Sequence, residues 1–224
     1  MAHQRSQIAV IGLGRFGTHA VKALYEADHE VLAIDKDTSA VERVKNSSTQ
    51  AVVVDGRDKE RLRALGLKDF DTVIISLGEN IEASALMALH LRDIGVKRVI
   101  AKAGSEDHAR LLEMLGVSEI IFPERQAAER LAQRLRYANL LDYIPLSGEH
   151  SIQEITPPQE FVGQTLQDLR LRNRFKVQVL AIRDARTDQL EVNPVAGYTI
   201  RESDIMIVLG DNSDLDRLIG MKGA

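Results

Sequence analysis

The 224-residue chain predicts a doubly wound parallel α/β sheet followed by a smaller α+β unit. Three observations carry that expectation. Apolar runs of strand length alternate with helical patterns from the start of the chain. The first four runs are apolar at consecutive positions, as parallel strands buried on both faces must be. Beyond residue 144 the rhythm changes to short strands punctuated by Pro145, Gly148, Pro157 and Pro158.

Taken in order, strands are expected at residues 8–11, 31–34, 51–54, 72–76, 99–102 and 119–122. Helical patterns at 17–27, 38–44, 59–65, 81–94 and 107–115 lie between them, giving β-α units of the kind that wind a parallel sheet. Gly66, Gly95 and Gly116 each follow a helical pattern, where a left-handed residue closes a helix C-terminus. Residues 124–141 read as a long amphipathic helix with Ala128, Leu131, Leu135, Ala138 and Leu141 at helical spacing, a connecting or dimerising element. The first domain is thus expected at 1–144 and the second at 145–224. The second reads as strand 151–155, helix 165–171, a hairpin of 177–182 with 190–192, strand 205–209 and helix 212–219.

Composition bounds the function. Hydrophobic residues at 44% and charged residues at 28% describe a folded globular chain rather than a disordered one. A net charge of −4 without a dense Lys/Arg run argues against nucleic acid as partner, since phosphate-backbone binding needs a concentrated positive face. With no cysteine there is no disulfide framework, thiolate nucleophile or thiolate metal site. The apolar start at residues 8–11 is too short for a signal segment, and no run approaches the ~18 residues needed to span a bilayer. The expectation is a cytoplasmic protein with no direct membrane insertion.

The chemistry concentrates after the first strand. Gly12-Leu13-Gly14-Arg15-Phe16-Gly17 follows it at once and leads into a helix, the strand-loop-helix setting of a Rossmann-type dinucleotide fingerprint. Gly12 permits the tight turn, Gly14 lets backbone approach a pyrophosphate, and Gly17 allows the helix to pack on the strand. The helix N-terminus offers unpaired N–H groups to phosphate. Asp35 ends the second strand roughly 20 residues on, where a carboxylate can accept from ribose hydroxyls and would repel a 2′-phosphate. Asp55-Gly56 and Ser76-Leu77-Gly78-Glu79-Asn80 end the third and fourth strands at the same sheet edge. Asp55 is read either as a contact to adenine or ribose or as a turn acid. Arg15 is read as a phosphate contact, in its own site or a neighbouring subunit's, or as a solvated arginine. Glu124 is read as a ligand for a cation bridging to phosphate, Mg²⁺ or Ca²⁺, or as an acid favourable to the helix that follows. The candidate nucleotide contacts are Gly12, Leu13, Gly14, Arg15, Phe16, Gly17, Asp35, Lys36, Asp55, Gly56, Leu77, Gly78 and Lys102, with Glu124 as metal ligand.

No catalytic set accompanies this site. A hydride-transfer enzyme needs a substrate domain with an acid or base over the nicotinamide, and the second unit is small and offers none. His3, His19, His29, His90, His108 and His150 are scattered and read as structural. No P-loop lysine, HExxH or GxSxG appears. The alternative kept open is a small NAD(H)-dependent oxidoreductase or redox sensor.

Residues 8–17, Ala33-Ile34-Asp35, Asp55-Gly56, Ile81-Glu82-Ala83-Ser84 and Ile121-Phe122-Pro123-Glu124 together resemble the regulator-of-potassium-conductance (RCK) family, in its Ktr/Trk-type subunits. The resemblance covers nearly the whole chain. It implies a cytoplasmic regulatory subunit, peripheral to the inner membrane, that binds ATP, ADP or NAD(H) and docks on a membrane potassium transporter. It also implies a homo-oligomer, dimers assembling into an octameric ring, with Arg15 meeting terminal phosphate across a subunit interface and Glu124 holding a divalent cation. In some relatives the C-terminal unit binds cyclic di-AMP. Residues 179–183 with Asn193-Pro194 occupy the comparable stretch here, and the charged turn at 184–190 departs from that pattern.

Overall fold

The computed structural model describes residues 5–78 and 80–220, so Glu79 and His3 lie outside the described residues. The chain divides into two compact units, Met1–Pro123 and Glu124–Ala224.

The first unit alternates strand and helix without exception: β1 (Gln7–Ile11), α1 (Arg15–Glu26), β2 (Glu30–Asp35), α2 (Thr38–Val44), β3 (Gln50–Val53), α3 (Lys59–Ala64), β4 (Thr72–Ile75), α4 (Ile81–Ile94), β5 (Val99–Lys102), α5 (Glu106–Met114) and β6 (Glu119–Ile121). The strands lie in the order β3-β2-β1-β4-β5-β6 with every pairing parallel. Successive side chains of a strand point to opposite faces, and the sheet sorts its apolar residues accordingly. Ala9, Ile11, Leu32, Ile34, Val73 and Ile75 join Leu62 of α3, Met87 and Leu91 of α4 and Leu112 of α5 in one core. Val10, Val31 and Ala33 join Val21 of α1 and Ala40, Val41 and Val44 of α2 in the other. Each fully buried large aliphatic side chain contributes on the order of 1.5–3 kcal/mol. Gly66, Gly95 and Gly116 hold φ of 70°, 91° and 88°, the left-handed closures expected after the helices.

The second unit begins with α6 (Pro123–Arg136) and continues with β7 (Leu140–Pro145), β8 (His150–Ile155), α7 (Leu166–Leu169), α8 (Leu171–Phe175), β9 (Gln178–Asp184), β10 (Leu190–Val192), β11 (Asp204–Asp211) and α9 (Asn212–Ile219). Its sheet runs β10-β9-β11-β8-β7, antiparallel throughout. Phe161, Leu169, Leu171, Phe175, Met206, Leu215 and Leu218 form its core.

Two expectations need correction here. The amphipathic helix stops at Arg136 instead of 141, because residues 140–145 pair with β8 and Leu140 enters the second core. That strand was hidden by its closing Pro145, which an edge strand tolerates at its end. The compact units divide at Pro123/Glu124, which puts β7 in the second. The helix expected at 165–171 is two pieces, α7 and α8, separated by Arg170 at φ 45°. Among the described residues no helix is long and apolar enough to cross a membrane.

Candidate functional site

The loop between β1 and α1 sits where the strand order reverses, beside β4. Gly12 takes φ 95°, and a Cβ there would come within 2.7 Å of the Ser76 carbonyl oxygen and 2.8 Å of Leu77 Cδ2. A Cβ on Gly17 would lie 1.9 Å from the Gly12 carbonyl oxygen, so α1 can approach the loop only with glycine at that position. Gly14 is different: a Cβ there would meet nothing within 4 Å, leaving room for a ligand.

Asp35 ties this loop to the sheet. The Leu13 N–H donates to its Oδ2 at 2.6 Å and the Asp37 N–H to its Oδ1 at 2.9 Å. Leu13 serves the site only through that N–H, since its side chain is 1% exposed and packed in the core. A carboxylate has about four acceptor positions, so Asp35 retains capacity on both oxygens.

The helix behind the loop is left open at its N-terminus. Gly14 caps α1 without a side-chain hydrogen bond, and no acidic residue stands in its first turn. By contrast α2, α3, α4 and α5 are capped by Asp37, Asp58, Asn80 and Ser105. The first N–H groups of an α-helix have no intrahelical acceptor, so those of α1 face outward with the positive end of its dipole. Arg15 is exposed and Phe16 half-buried on this turn.

A cavity of about 270 Å³ opens beside the loop, lined by Ile11, Gly12, Asp35, Lys36, Val54, Asp55, Gly56, Arg57, Leu77, Asn80, Glu82, Ala83, Leu86 and Met87. Six sequence-derived candidates therefore line it: Gly12, Asp35, Lys36, Asp55, Gly56 and Leu77. Leu13, Gly14, Arg15, Phe16 and Gly17 belong to the adjoining loop and helix start. Gly78 and Lys102 come together next to it, where a Cβ on Gly78 would reach Lys102 Cγ at 3.1 Å. Glu124 stands in the first turn of α6, in the second compact unit. Among the described residues no group of three or more His, Asp or Glu side chains is arranged to hold a metal ion.

Sequence reasoning missed Arg57. Its Nε and Nη2 donate to both Asp55 oxygens at 2.7–3.1 Å, and this guanidinium holds the Asp55 carboxyl down at about 2. Asp55 also accepts from the Arg57 backbone N–H at 3.0 Å, so it is a turn acid and a cavity residue at once. The cap of α3 is Asp58. The cavity thus offers carboxylates at Asp35, Asp55 and Glu82, cations at Lys36 and Arg57, and an apolar side of Val54, Leu86 and Met87. Such a pocket, beside an open helix N-terminus, suits a ligand with an apolar heterocycle, a polyol and an anionic tail.

Comparison with known proteins gives a consistent picture. The TrkA-N domain pattern matches residues 8–123 and the TrkA-C domain pattern residues 152–221. The chain is 40% identical to Ktr system potassium uptake protein C of Bacillus subtilis (strain 168), over 95% of this chain and 96% of that one. It is 34% identical to Ktr system potassium uptake protein A of Vibrio alginolyticus, over 93% and 94%. Among solved structures, the GsuK RCK domain matches with a TM-score of 0.67 at 19% identity, covering 100% of this chain and 49% of that one. The GsuK channel bound to NAD matches with a TM-score of 0.67 at 17% identity, over 100% and 41%. The chain spans half or less of those two chains, and at such identities the likeness speaks to fold alone.

Proposed function

We propose, from the premise that this chain belongs to the TrkA-N/TrkA-C family that includes the Ktr system potassium uptake proteins, that it is a regulatory subunit of potassium transport governed by a bound adenine nucleotide. The observation that carries the nucleotide reading is the cavity at the turn of the sheet order, which Gly12 and Asp35 both line. Ligands of open α/β sheets bind at that crevice. The spare acceptor capacity of Asp35 suits ribose hydroxyls, and the open start of α1 with Arg15 suits the phosphates. Gly12, Leu13, Gly14, Arg15, Phe16, Gly17, Asp35, Lys36, Asp55, Gly56, Leu77, Gly78 and Lys102 are the contacts in this reading. ATP, ADP and NAD(H) all present the same adenosine ribose.

In this reading the subunit works at the cytoplasmic side of the membrane as a homo-oligomeric ring of dimers, octameric by resemblance, acting on a potassium-conducting membrane protein, and it performs no turnover of its own. Glu124 as a ligand for Mg²⁺ or Ca²⁺ would need further oxygen donors from phosphate and water. A second ligand such as cyclic di-AMP in the C-terminal unit remains part of the proposal through residues 179–183 and Asn193-Pro194.

The direct test is calorimetric titration of nucleotide-free protein with ATP, ADP and NADH. Asp35→Ala should weaken each by about 1.5–3 kcal/mol, the worth of hydrogen bonds to a charged group. Equal affinity in wild type and variant for all three would remove Asp35 from the site.

A further inference from the structure

The nucleotide reading leaves two charged residues of the cavity, Arg57 and Glu82, without a task, and the setting of Arg57 is unusual. Arg57 stands on a turn fixed from several sides: the Asp58 N–H donates to the Asp55 carbonyl at 2.9 Å, and the Arg57 N–H donates to Asp55 Oδ1 at 3.0 Å. The His90 ring meets the Gly56 carbonyl at 3.3 Å. Gly56 itself presses on Met87, since a Cβ there would lie 1.9 Å from the methionine Cε. The guanidinium is then clamped along one edge by both Asp55 oxygens. A guanidinium held in this way cannot turn its Nε–Nη2 edge to a ligand. What it retains for the cavity is its flat face and Nη1. The lining of the same cavity includes Val54, Ala83, Leu86 and Met87, apolar side chains that suit a planar heterocycle better than a phosphate.

We propose that Arg57, braced by Asp55, is the base-binding wall of this cavity, stacking its guanidinium on the purine ring of the bound nucleotide. Guanidinium planes stack on π-faces, and bracing removes the cost of ordering the side chain when the ligand arrives. The Asp55–Arg57 pair is more than a surface ion pair in this view: Asp55 sets the plane on which the base lies. The inference rests on the nucleotide reading above and specifies which part of the ligand this corner meets.

The test uses the full chain and calorimetry with two probes, ADP and ribose 5-phosphate, on wild type, Arg57→Ala and Arg57→Lys. Arg57 is largely exposed, with its side chain 69% accessible, so both variants should fold, which a thermal melt checks. Arg57→Ala should weaken ADP about tenfold and leave ribose 5-phosphate within about twofold. Arg57→Lys keeps the charge but has neither the flat face nor the two-pronged edge, and should bind ADP as weakly as the alanine variant. Full rescue by lysine, or an equal loss for both probes, would show a cation meeting phosphate and overturn the proposal. So would unchanged ADP affinity in both variants. Failure of wild-type protein to bind any adenine nucleotide would sink the nucleotide reading itself, a result distinct from these.

Discussion

Arg15 stands first in α1, exposed, at the end of the helix where N–H groups have no intrahelical acceptor. ATP and ADP differ only in the terminal phosphate, and a ligand shifts an equilibrium only by its differential affinity for two states. A charge-assisted bond worth roughly 1.5–3 kcal/mol would change the ratio of two ring states about ten- to a hundredfold. Arg15→Ala should therefore leave ADP binding nearly intact while ATP comes to act like ADP in potassium-flux assays with the membrane partner. Full ATP-stimulated flux in that variant would clear Arg15 of the task. At this scale the glycine loop and Asp35 are legible in sequence, because tight turn, close packing and a strand-end acid each demand a residue type at a fixed offset. What is not legible is the bond from Leu13 N–H to Asp35, a tertiary contact between the glycine loop and the end of β2. Arg57 is invisible for the same reason: nothing in a short polar turn shows which way its arginine is braced.

Among the elements, α6 bears an apolar stripe that its own unit leaves uncovered, with Leu131 54% and Leu135 77% exposed and no residue of the helix buried. A helix with one apolar face is stabilised mainly by covering it, and a second copy of this chain is the proposed cover. Leu131→Lys should then shift the protein to smaller particles in sizing chromatography coupled to light scattering; elution at the wild-type position would refute that role. The helical spacing that reveals this stripe also misleads, since it runs on through Ala138 and Leu141 although the helix ends at Arg136. Pairing with β8 outweighs a weak local period there. Likewise no propensity marks Arg170 for a left-handed turn, a conformation uncommon for any residue but glycine. Elements of the first unit are legible nearly to their ends because consecutive apolar strands and glycine-closed helices agree; those of the second depend on antiparallel pairing between distant segments.

For the whole chain, the stability of the first unit should follow the titration of one buried histidine. His108 is 1% exposed, its Nδ1 accepts from the Gly104 N–H at 3.3 Å, and its Nε2 has no partner among the described residues. Burial pushes its pKa below the usual 6.5, so the fold holds it neutral. A depressed folded value means that its contribution is present above about pH 6.5 and is lost as pH falls through that folded value. Thermal melts should thus fall between pH 7 and 5.5 by at most about 1.4 kcal/mol per pH unit, and His108→Asn, whose Oδ1 can take the Gly104 N–H, should flatten that slope. An unchanged slope would assign the acid sensitivity to other groups. The loop held by Asp35 carries a consequence in time as well as in energy. Bonds within the chain hold its geometry, from the Leu13 and Asp37 N–H groups to Asp35, so arrival rates should be similar for every adenine nucleotide. Ligands that enter a finished site at one rate are told apart by how long each stays, and the dwell of the nucleotide then becomes the interval over which the subunit holds its state.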